Sequence, residues 1–313
     1  MSQRASGDLL EAGERAWVED GYRTLLKVGH AVEPGLRGAL EATLSRGGGL
    51  ARAQIAYDLA RSFGGGREAA RELAIGIEYL HTASLLLDDL PSMDDAVERR
   101  GGPCPHRLFG EGATVLAALA LINRAYDLLW RSIAPAAESR RERASALVAS
   151  CLGLDGVING QALDLAFGSS RQGSGEVLAA AAGKTVAMTR LTLVLPACVH
   201  GAEEAVLDLL DDLSRSWGHA YQIVDDFRDG LEKAGGVGKT TGRDLTLGRP
   251  NMPWAAGAGE ALARAEEEIA RASLSLRRLE EAGTVPRALL RLFEALRSQA
   301  GEIAELLAHR VVA

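Results

Sequence analysis

The chain has 313 residues, of which 47% are hydrophobic and only 4% aromatic, and a formal net charge of −7. That balance allows a sizeable aliphatic core, and an acidic surplus without a basic stripe argues against a nucleic-acid partner. The first residues carry Asp8 and Glu11 without an apolar signal core, and no uninterrupted apolar run reaches the ~18–20 residues of a membrane span. A soluble protein without a membrane span is expected.

In chain order, apolar residues recur at spacings of three and four over 8–30, 33–45, 50–63, 67–90, 111–133, 138–167, 176–200, 203–227 and 258–282. This periodicity predicts helices. A last helix is predicted from Val285 to His309. Breaks fall at Gly64 to Gly66, Gly101 to Pro105, Gly168 to Gly175, Gly230 to Gly242, Gly248 to Pro253 and Gly283 to Pro286. Strand-like alternation is absent, and so are a long linker and an internal repeat. The expectation is a single all-α domain over residues 1–313, a helical bundle around a central cavity.

Two aspartate clusters stand out: Asp88-Asp89-Leu90-Pro91-Ser92-Met93-Asp94-Asp95 and Asp225-Asp226-Phe227-Arg228-Asp229. Each follows a mainly apolar stretch, Tyr79 to Leu87 and His219 to Val224. Like charges packed this closely push one another toward the protonated form. A divalent cation removes that penalty, and oxygen-only ligands with positions left for water and phosphate favour Mg²⁺. Asp225 and Asp229 share a helical face one turn apart. Pro91 ends or kinks the first helix, a distortion that can return Asp94 toward Asp88. The bland alternative is two solvated helix ends; two clusters, each on an apolar stretch, weigh against it.

Cations follow both clusters. Arg99-Arg100-Gly101-Gly102-Pro103, with His106, comes after the first, and paired guanidinium forks suit phosphate oxygens. Lysine occurs only at Lys27, Lys184, Lys233 and Lys239. Lys184-Thr185 lies on a helix between the clusters. Lys239 and Arg243-Asp244 lie in a glycine-rich segment suited to closing over a phosphorylated ligand. Several cations beside a metal clamp imply a diphosphate. The helix leading to Asp88 supplies an apolar wall of Tyr79, Leu80, Ala83, Leu85, Leu86 and Leu87, which fits a hydrocarbon tail. Metal ions would withdraw charge from a leaving diphosphate, and a dry pocket would protect a carbocation from water. Cys104, Cys151 and Cys198 form no CxxC pair and fit reduced thiols in a cytoplasmic protein.

These residues resemble the trans-isoprenyl diphosphate synthases from about Gly47 to Pro253. The run His81-Thr82-Ala83-Ser84 through Asp88-Asp89, Asp94-Asp95-Ala96, Arg99-Arg100-Gly101 and His106 is similar to bacterial geranylgeranyl diphosphate synthases of carotenoid pathways. Gly160-Gln161 with Asp164, Lys184-Thr185, Tyr221-Gln222 with Asp225-Asp226, and Gly238-Lys239 match later motifs. The resemblance implies a homodimeric helical bundle with three Mg²⁺ ions per site. It implies metal binding by Asp88, Asp94 and Asp225, with Asp89, Asp226 and Asp229 in the same clusters. Arg99, Lys184, Thr185, Gln222 and Lys239 would hold an allylic diphosphate, and Arg52, His81 and Arg100 the diphosphate of isopentenyl diphosphate. Asp88, Asp94, Arg99, Lys184, Asp225 and Lys239 are the implied catalytic set, and the released diphosphate would take the proton. The small Ala83 and Ser84, about a turn before the metals, would leave room for a twenty-carbon product; Ala83→Phe should shorten it to fifteen.

Three departures stand out. The family's Gly-Gly-Lys-x-x-Arg-Pro motif reads Gly47-Gly48-Gly49-Leu50-Ala51-Arg52-Ala53, so Gly49 replaces the lysine expected on isopentenyl diphosphate. A lost charge-assisted hydrogen bond costs ~1.5–3 kcal/mol, roughly tenfold to a hundredfold in affinity; Arg46 would substitute if its side chain reaches inward. Arg249 stands where a lysine is common, keeping the charge. The stretch Ala117-Ala118-Leu119-Ala120 lacks the acidic residue of many relatives. Alternatives to a geranylgeranyl diphosphate synthase stay open: a farnesyl diphosphate synthase, a terpene cyclase on the same scaffold, and an inactive modulatory subunit.

Overall fold

A computed structural model describes residues 9–167, 173–231, 248–283 and 285–312. The fold is all-α. The chain opens with α1 (Ala12–Thr24), α2 (Pro34–Ser45), α3 (Ala51–Ser62) and the long α4 (Arg67–Asp88). Sequence places the ends of these helices. Pro34 sits in the first turn of α2, where its missing amide costs nothing, and the Glu33 carboxylate accepts from the Leu36 amide at 2.8 Å.

After α4 comes a feature that the periodicity does not predict, a two-stranded hairpin of β1 (Glu98–Arg99) and β2 (Gly102–Pro103). Both turn residues are left-handed, Arg100 at φ 54° and Gly101 at φ 75°. That is the backbone of a type I′ turn, which matches the twist of the flanking strands. Two residues per strand are too few to show alternation in the sequence. The chain continues through α5 (Pro105–Phe109), α6 (Glu111–Ile133), α7 (Glu138–Leu152), α8 (Val157–Ala166) and α9 (Ser174–Ala181). A π-helical turn over Ala182–Val186 leads into α10 (Ala187–His200) and α11 (Glu204–Leu231). Met252–Ala256 forms α12, Ala258–Glu281 α13 and Arg287–Val312 α14.

The α4 helix runs through the core, packed against α1, α3, α6 and α10. Gly76 lets α6 approach closely, since a methyl there would lie 3.0 Å from Leu129 and 3.2 Å from the Ala125 carbonyl. Ala83, seven residues on, shares that face and is wholly buried. Tyr79 ties α4 to α1: its hydroxyl donates to the Tyr22 carbonyl at 2.8 Å and accepts from the Leu26 amide at 3.0 Å. On the other side, α11 packs on α10 and α13. One continuous apolar cluster joins both halves.

The sequence reading expects no membrane span, yet three helical stretches reach the length and mean hydropathy of one: Glu111–Ile133, Glu138–Ala166 and Ser174–His200. The discrepancy has a simple origin. Ala- and Leu-rich helices with one or two charges pass on average hydropathy although no uninterrupted apolar run exists. Buried shares of 39%, 28% and 56% show that α6 and the α7–α8 stretch leave most of their apolar length outside the core.

Candidate active site

The helix α4 delivers Asp88 at its last turn, and the chain then winds back on itself. The Asp94 amide donates to the Asp88 carbonyl at 2.9 Å and the Asp95 amide to the Leu90 carbonyl at 2.9 Å, with Asp95 left-handed at φ 45°. Asp94 therefore returns beside Asp88, as the Pro91 break anticipates. Facing them is Asp164 of α8. Two cations thread these carboxylates. Lys184 Nζ lies 3.5 Å from Asp88 and 3.6 Å from Asp164. Arg249 donates to Asp94 at 2.7 Å and to the Met93 carbonyl at 2.8 Å, with its Nε 3.7 Å from Asp164.

Burial pushes the Asp88 carboxyl up, and neighbouring Asp94 and Asp164 add to that, against the pull of Lys184. Burial would lower Lys184, but the charges of Asp88, Asp164 and Asp94 hold it above its ordinary value. The backbone that presents Lys184 is the π-turn. Gly183 of that turn touches Gly160 of α8, where a methyl on Gly183 would lie 2.5 Å from the Gly160 Cα. Only two glycines permit this crossing, and it sets Asp164 against Lys184.

The second cluster rides on α11. Asp225 is half-buried and Asp229 is buried one turn on. Gln222 bridges across the site: its amide oxygen accepts from Thr185 Oγ1 at 2.6 Å, and its Nε2 donates to Asp226 at 2.8 Å.

The clusters are not uniform, because consecutive helical residues point about 100° apart. Asp89 is 1% exposed, and both its oxygens accept from Arg99, Nε at 2.8 and 2.7 Å and Nη2 at 2.6 Å. It faces a cavity of about 360 Å³ open to solvent between α2, α4 and the hairpin, which Arg46, Arg99 and Arg100 also line. Asp226 accepts from Gln222 on one oxygen and from the Met252 amide at 2.8 Å on the other, anchoring α12. The structure thus separates Asp89 and Asp226 from Asp88, Asp94 and Asp164, and it gives Arg99 a carboxylate partner where a phosphate was expected. Lys239, with Gly238 and Arg243-Asp244, lies outside the described residues.

Among the described residues no three acidic, His or Cys side chains converge into a ready-made metal cage. Lys184 and Arg249 sit between the carboxylates that would otherwise converge. The donor chemistry nonetheless fits magnesium: Asp88, Asp94 and Asp164 offer only oxygens, and Asp88 is held in a costly buried environment that a cation would relieve.

A second cationic region lies further up α4. Arg52 Nη1 is 3.1 Å from His81 Nε2. Arginine always donates, so Nε2 accepts and the proton of His81 belongs on Nδ1. Burial, then the charges of Arg52 and Arg100, push the imidazole well below its ordinary range, keeping it neutral. Arg100 donates to the Arg46 carbonyl at 3.2 Å and faces Glu78 at 3.9 Å. Arg46 does not reach inward: its Nη1 donates to the Pro103 carbonyl at 3.1 Å. Ser84 is half-buried, its hydroxyl donating to the His81 carbonyl at 2.8 Å, whereas Ala83 is sealed within the bundle.

Three partners here carry no role in the sequence reading. Asp164 was visible only as the end of a motif, and Arg249 only as a residue keeping a charge. Glu78 had a signal of its own, an acid inside an apolar helix ten residues before Asp88.

An all-helical bundle with acidic clusters near the ends of two helices and cations beside them defines a class, and solved structures share the fold. A geranyltransferase from Helicobacter pylori, complexed with magnesium and isoprenyl diphosphate, aligns at a TM-score of 0.74 and 22% identity, covering 95% of this chain and 99% of that one. An FPP/GFPP synthase from Zymomonas mobilis aligns at 0.72 and 26%, covering 92% and 95%. The chain belongs to the polyprenyl synthetase family, whose sequence profile matches residues 33–290. Curated relatives include the chloroplastic geranylfarnesyl diphosphate synthase of Leucosceptrum canum, 37% identical over 61% of this chain and 53% of that protein. Another is the chloroplastic geranylgeranyl pyrophosphate synthase of Capsicum annuum, 32% identical over 73% and 61%. The chain spans between about half and two thirds of the length of these relatives. Both are plant enzymes, so the likeness to bacterial carotenoid-pathway synthases rests on the motifs alone.

Proposed function

We propose that the protein is a trans-prenyltransferase that joins isopentenyl diphosphate to an allylic diphosphate and gives trans-geranylgeranyl diphosphate, releasing diphosphate. The observation that carries this reading is the presence of two separate cationic regions beside one helix, α4. Lys184 and Arg249 surround Asp88, Asp94 and Asp164, and Arg52 and Arg100 stand with His81 further up α4. Two diphosphates need two such places.

Asp88, Asp94, Asp164, Asp225 and Asp229 would hold magnesium, three ions per site in the family picture, which would draw charge from the leaving diphosphate. Asp89 and Asp226 act through Arg99 and Gln222, which they orient. Lys184, Arg249, Thr185 and Gln222 line the allylic head; Lys239 and Arg99 belong to the same proposed set. Ionisation breaks the allylic carbon–oxygen bond, and the isopentenyl double bond supplies the electron pair that forms the new carbon–carbon bond. The departed diphosphate takes the proton, so no side-chain base is required. The small Ser84 and Ala83 support a twenty-carbon product as in carotenoid-pathway synthases, with farnesyl and geranylfarnesyl outcomes as the neighbouring lengths.

The protein works as a homodimer. Leu116, Leu119, Tyr126 and Trp130 form one exposed apolar stripe on α6, and Ile158 and Leu165 extend the apolar surface on α8. We assign the apolar length of these helices to that contact, not to a membrane. The buried free thiols Cys104, Cys151 and Cys198 support a cytoplasmic location.

Purified protein incubated with Mg²⁺ and farnesyl diphosphate, with and without isopentenyl diphosphate, tests the reading. Elongation only with both supports it. A hydrocarbon or alcohol from farnesyl diphosphate alone would make the chain a terpene cyclase, a reading that Gly49 favours. No turnover with any allylic substrate would point to a modulatory subunit.

A further inference from the structure

Glu78 is 2% exposed and lies in the apolar middle of α4. Its two oxygens face different elements. Oε2 accepts from the Ala53 amide at 3.0 Å, and Oε1 faces Arg100 Nη2 at 3.9 Å. Ala53 belongs to the first turn of α3, whose amides have no intrahelical partner and whose positive end attracts a carboxylate. That turn follows Gly47-Gly48-Gly49 and the left-handed Leu50, φ 46°, and it carries Arg52 one residue before Ala53. Arg100 comes from the opposite side, on the strained apex of the hairpin.

One buried carboxylate therefore holds the helical turn that carries Arg52 and faces Arg100 on the hairpin. Burial pulls Arg52 below the usual arginine range, Glu78 pushes it back up, and Arg100 pulls it down again. Glu78 thus offsets part of what burial and the neighbouring Arg100 charge cost the Arg52 guanidinium. With His81 neutral and Gly49 bearing no charge, these two arginines are the cations of this region, and Arg46 is turned to the hairpin carbonyl.

We propose that Glu78 is a positioning residue for the second diphosphate: its carboxylate holds Arg52 and Arg100 together in one place and keeps both forks aimed at isopentenyl diphosphate. The inference rests on the two-substrate reading above. It differs from a purely structural role, in which Glu78 only caps α3. Glu78→Gln separates the two, because the amide oxygen still accepts from Ala53 while the charge between the arginines is gone.

Steady-state kinetics with farnesyl and isopentenyl diphosphates decide the matter. Glu78→Gln should raise the KM for isopentenyl diphosphate about tenfold or more, the scale of one charge-assisted hydrogen bond, and leave the farnesyl diphosphate KM within about twofold. An unchanged or lowered isopentenyl KM overturns the inference. Should Glu78→Gln not accumulate as folded protein, Glu78→Asp takes its place. It keeps the charge but withdraws it by one methylene, and the same one-sided rise in KM is expected, with the same outcome overturning it. Wild-type protein that does not elongate sinks the two-substrate reading and this inference with it. Wild-type protein that elongates beside a variant of unaltered KM sinks this inference alone.

Discussion

Gly183 and Gly160 meet backbone against backbone, so that a methyl group on Gly183 would lie 2.5 Å from the Gly160 Cα and 2.7 Å from its nitrogen. The contact lets α8 cross the π-turn that presents Lys184. Neither neighbour is a side chain that can swing aside. Gly183→Ala must therefore push α8 away, at a cost of about 1–3 kcal/mol or more. We expect a lower melting temperature and at least a tenfold fall in kcat, because Asp164 and Lys184 move apart. Wild-type kcat in a folded Gly183→Ala protein would contradict this.

Arg249 is buried against Asp94, Asp164 and the Met93 carbonyl. Removing one partner of a buried ionic group leaves uncompensated charge and typically costs about 3–5 kcal/mol. Arg249→Ala should lower the melting temperature in the presence of a chelator and recover more than wild type on adding Mg²⁺, since the cation restores the balance. Arg249→Lys should fall between the two, keeping a point charge but not the fork. Equal Mg²⁺ responses in all three proteins would speak against the arrangement.

Product length should answer to Ser84 more cleanly than to Ala83. Ser84 is half-buried, whereas Ala83 is fully buried on the α4 face that carries Gly76 against α6. A phenylalanine at 83 overfills that seam and should cost stability of about 1–3 kcal/mol as well as shorten the product. Ser84→Phe should shift products toward fifteen carbons with a smaller loss of melting temperature. Chromatography of the dephosphorylated products reads both; an unaltered length in both variants removes these residues from the control of product length.

Acidification should weaken the fold below about pH 6.5. Burial lowers the imidazoles of His81, His106, His200 and His219. Folded-state values below the unfolded value of ~6.5 mean that the unfolded chain binds more protons under that pH. This stability is fully present above ~6.5 and is lost as pH falls, by at most ~1.4 kcal/mol per pH unit for each histidine. Asp58 and Asp88 are raised by burial and act in the opposite sense, but in a range that begins from the lower carboxylate values. Urea midpoints at pH 7.5, 6.5 and 5.5 should decline in that order; a level series would refute the assignment.

Replacing two residues of the α6 stripe, Leu119→Glu with Trp130→Glu, should convert a dimer to monomers in sedimentation. Both side chains are more than half exposed, at 54% and 59%, so the substitutions do not disturb the core of the protomer. An unchanged sedimentation coefficient would locate the contact elsewhere.

The residues legible in the sequence were those whose roles depend on local spacing. The apolar runs before Asp88 and Asp225 foretell the helices, and Pro91 foretells the return of Asp94. What stayed hidden depends on partners far along the chain. Asp88 and Asp89 look alike in sequence, yet one turns to Lys184 and the other to Arg99 on a hairpin too short to announce itself. Asp226 has its partner in the Met252 amide, twenty-six residues later. The π-turn at Lys184 depends on Gly160 across the bundle, and no periodicity encodes a neighbour's missing side chain. Arg46 is inward-capable by sequence, but only the fold shows its guanidinium turned to the Pro103 carbonyl.

The web of Lys184 and Arg249 among Asp88, Asp94 and Asp164 has a meaning beyond its geometry. The same ammonium and guanidinium groups can face carboxylate or phosphate oxygens, and both partners are anionic. On the proposed reading, Lys184 and Arg249 would occupy the aspartates while the site is empty and would be free to turn to phosphate oxygens once magnesium is held by Asp88, Asp94 and Asp164. The buried carboxylates would then keep a cationic partner in both situations.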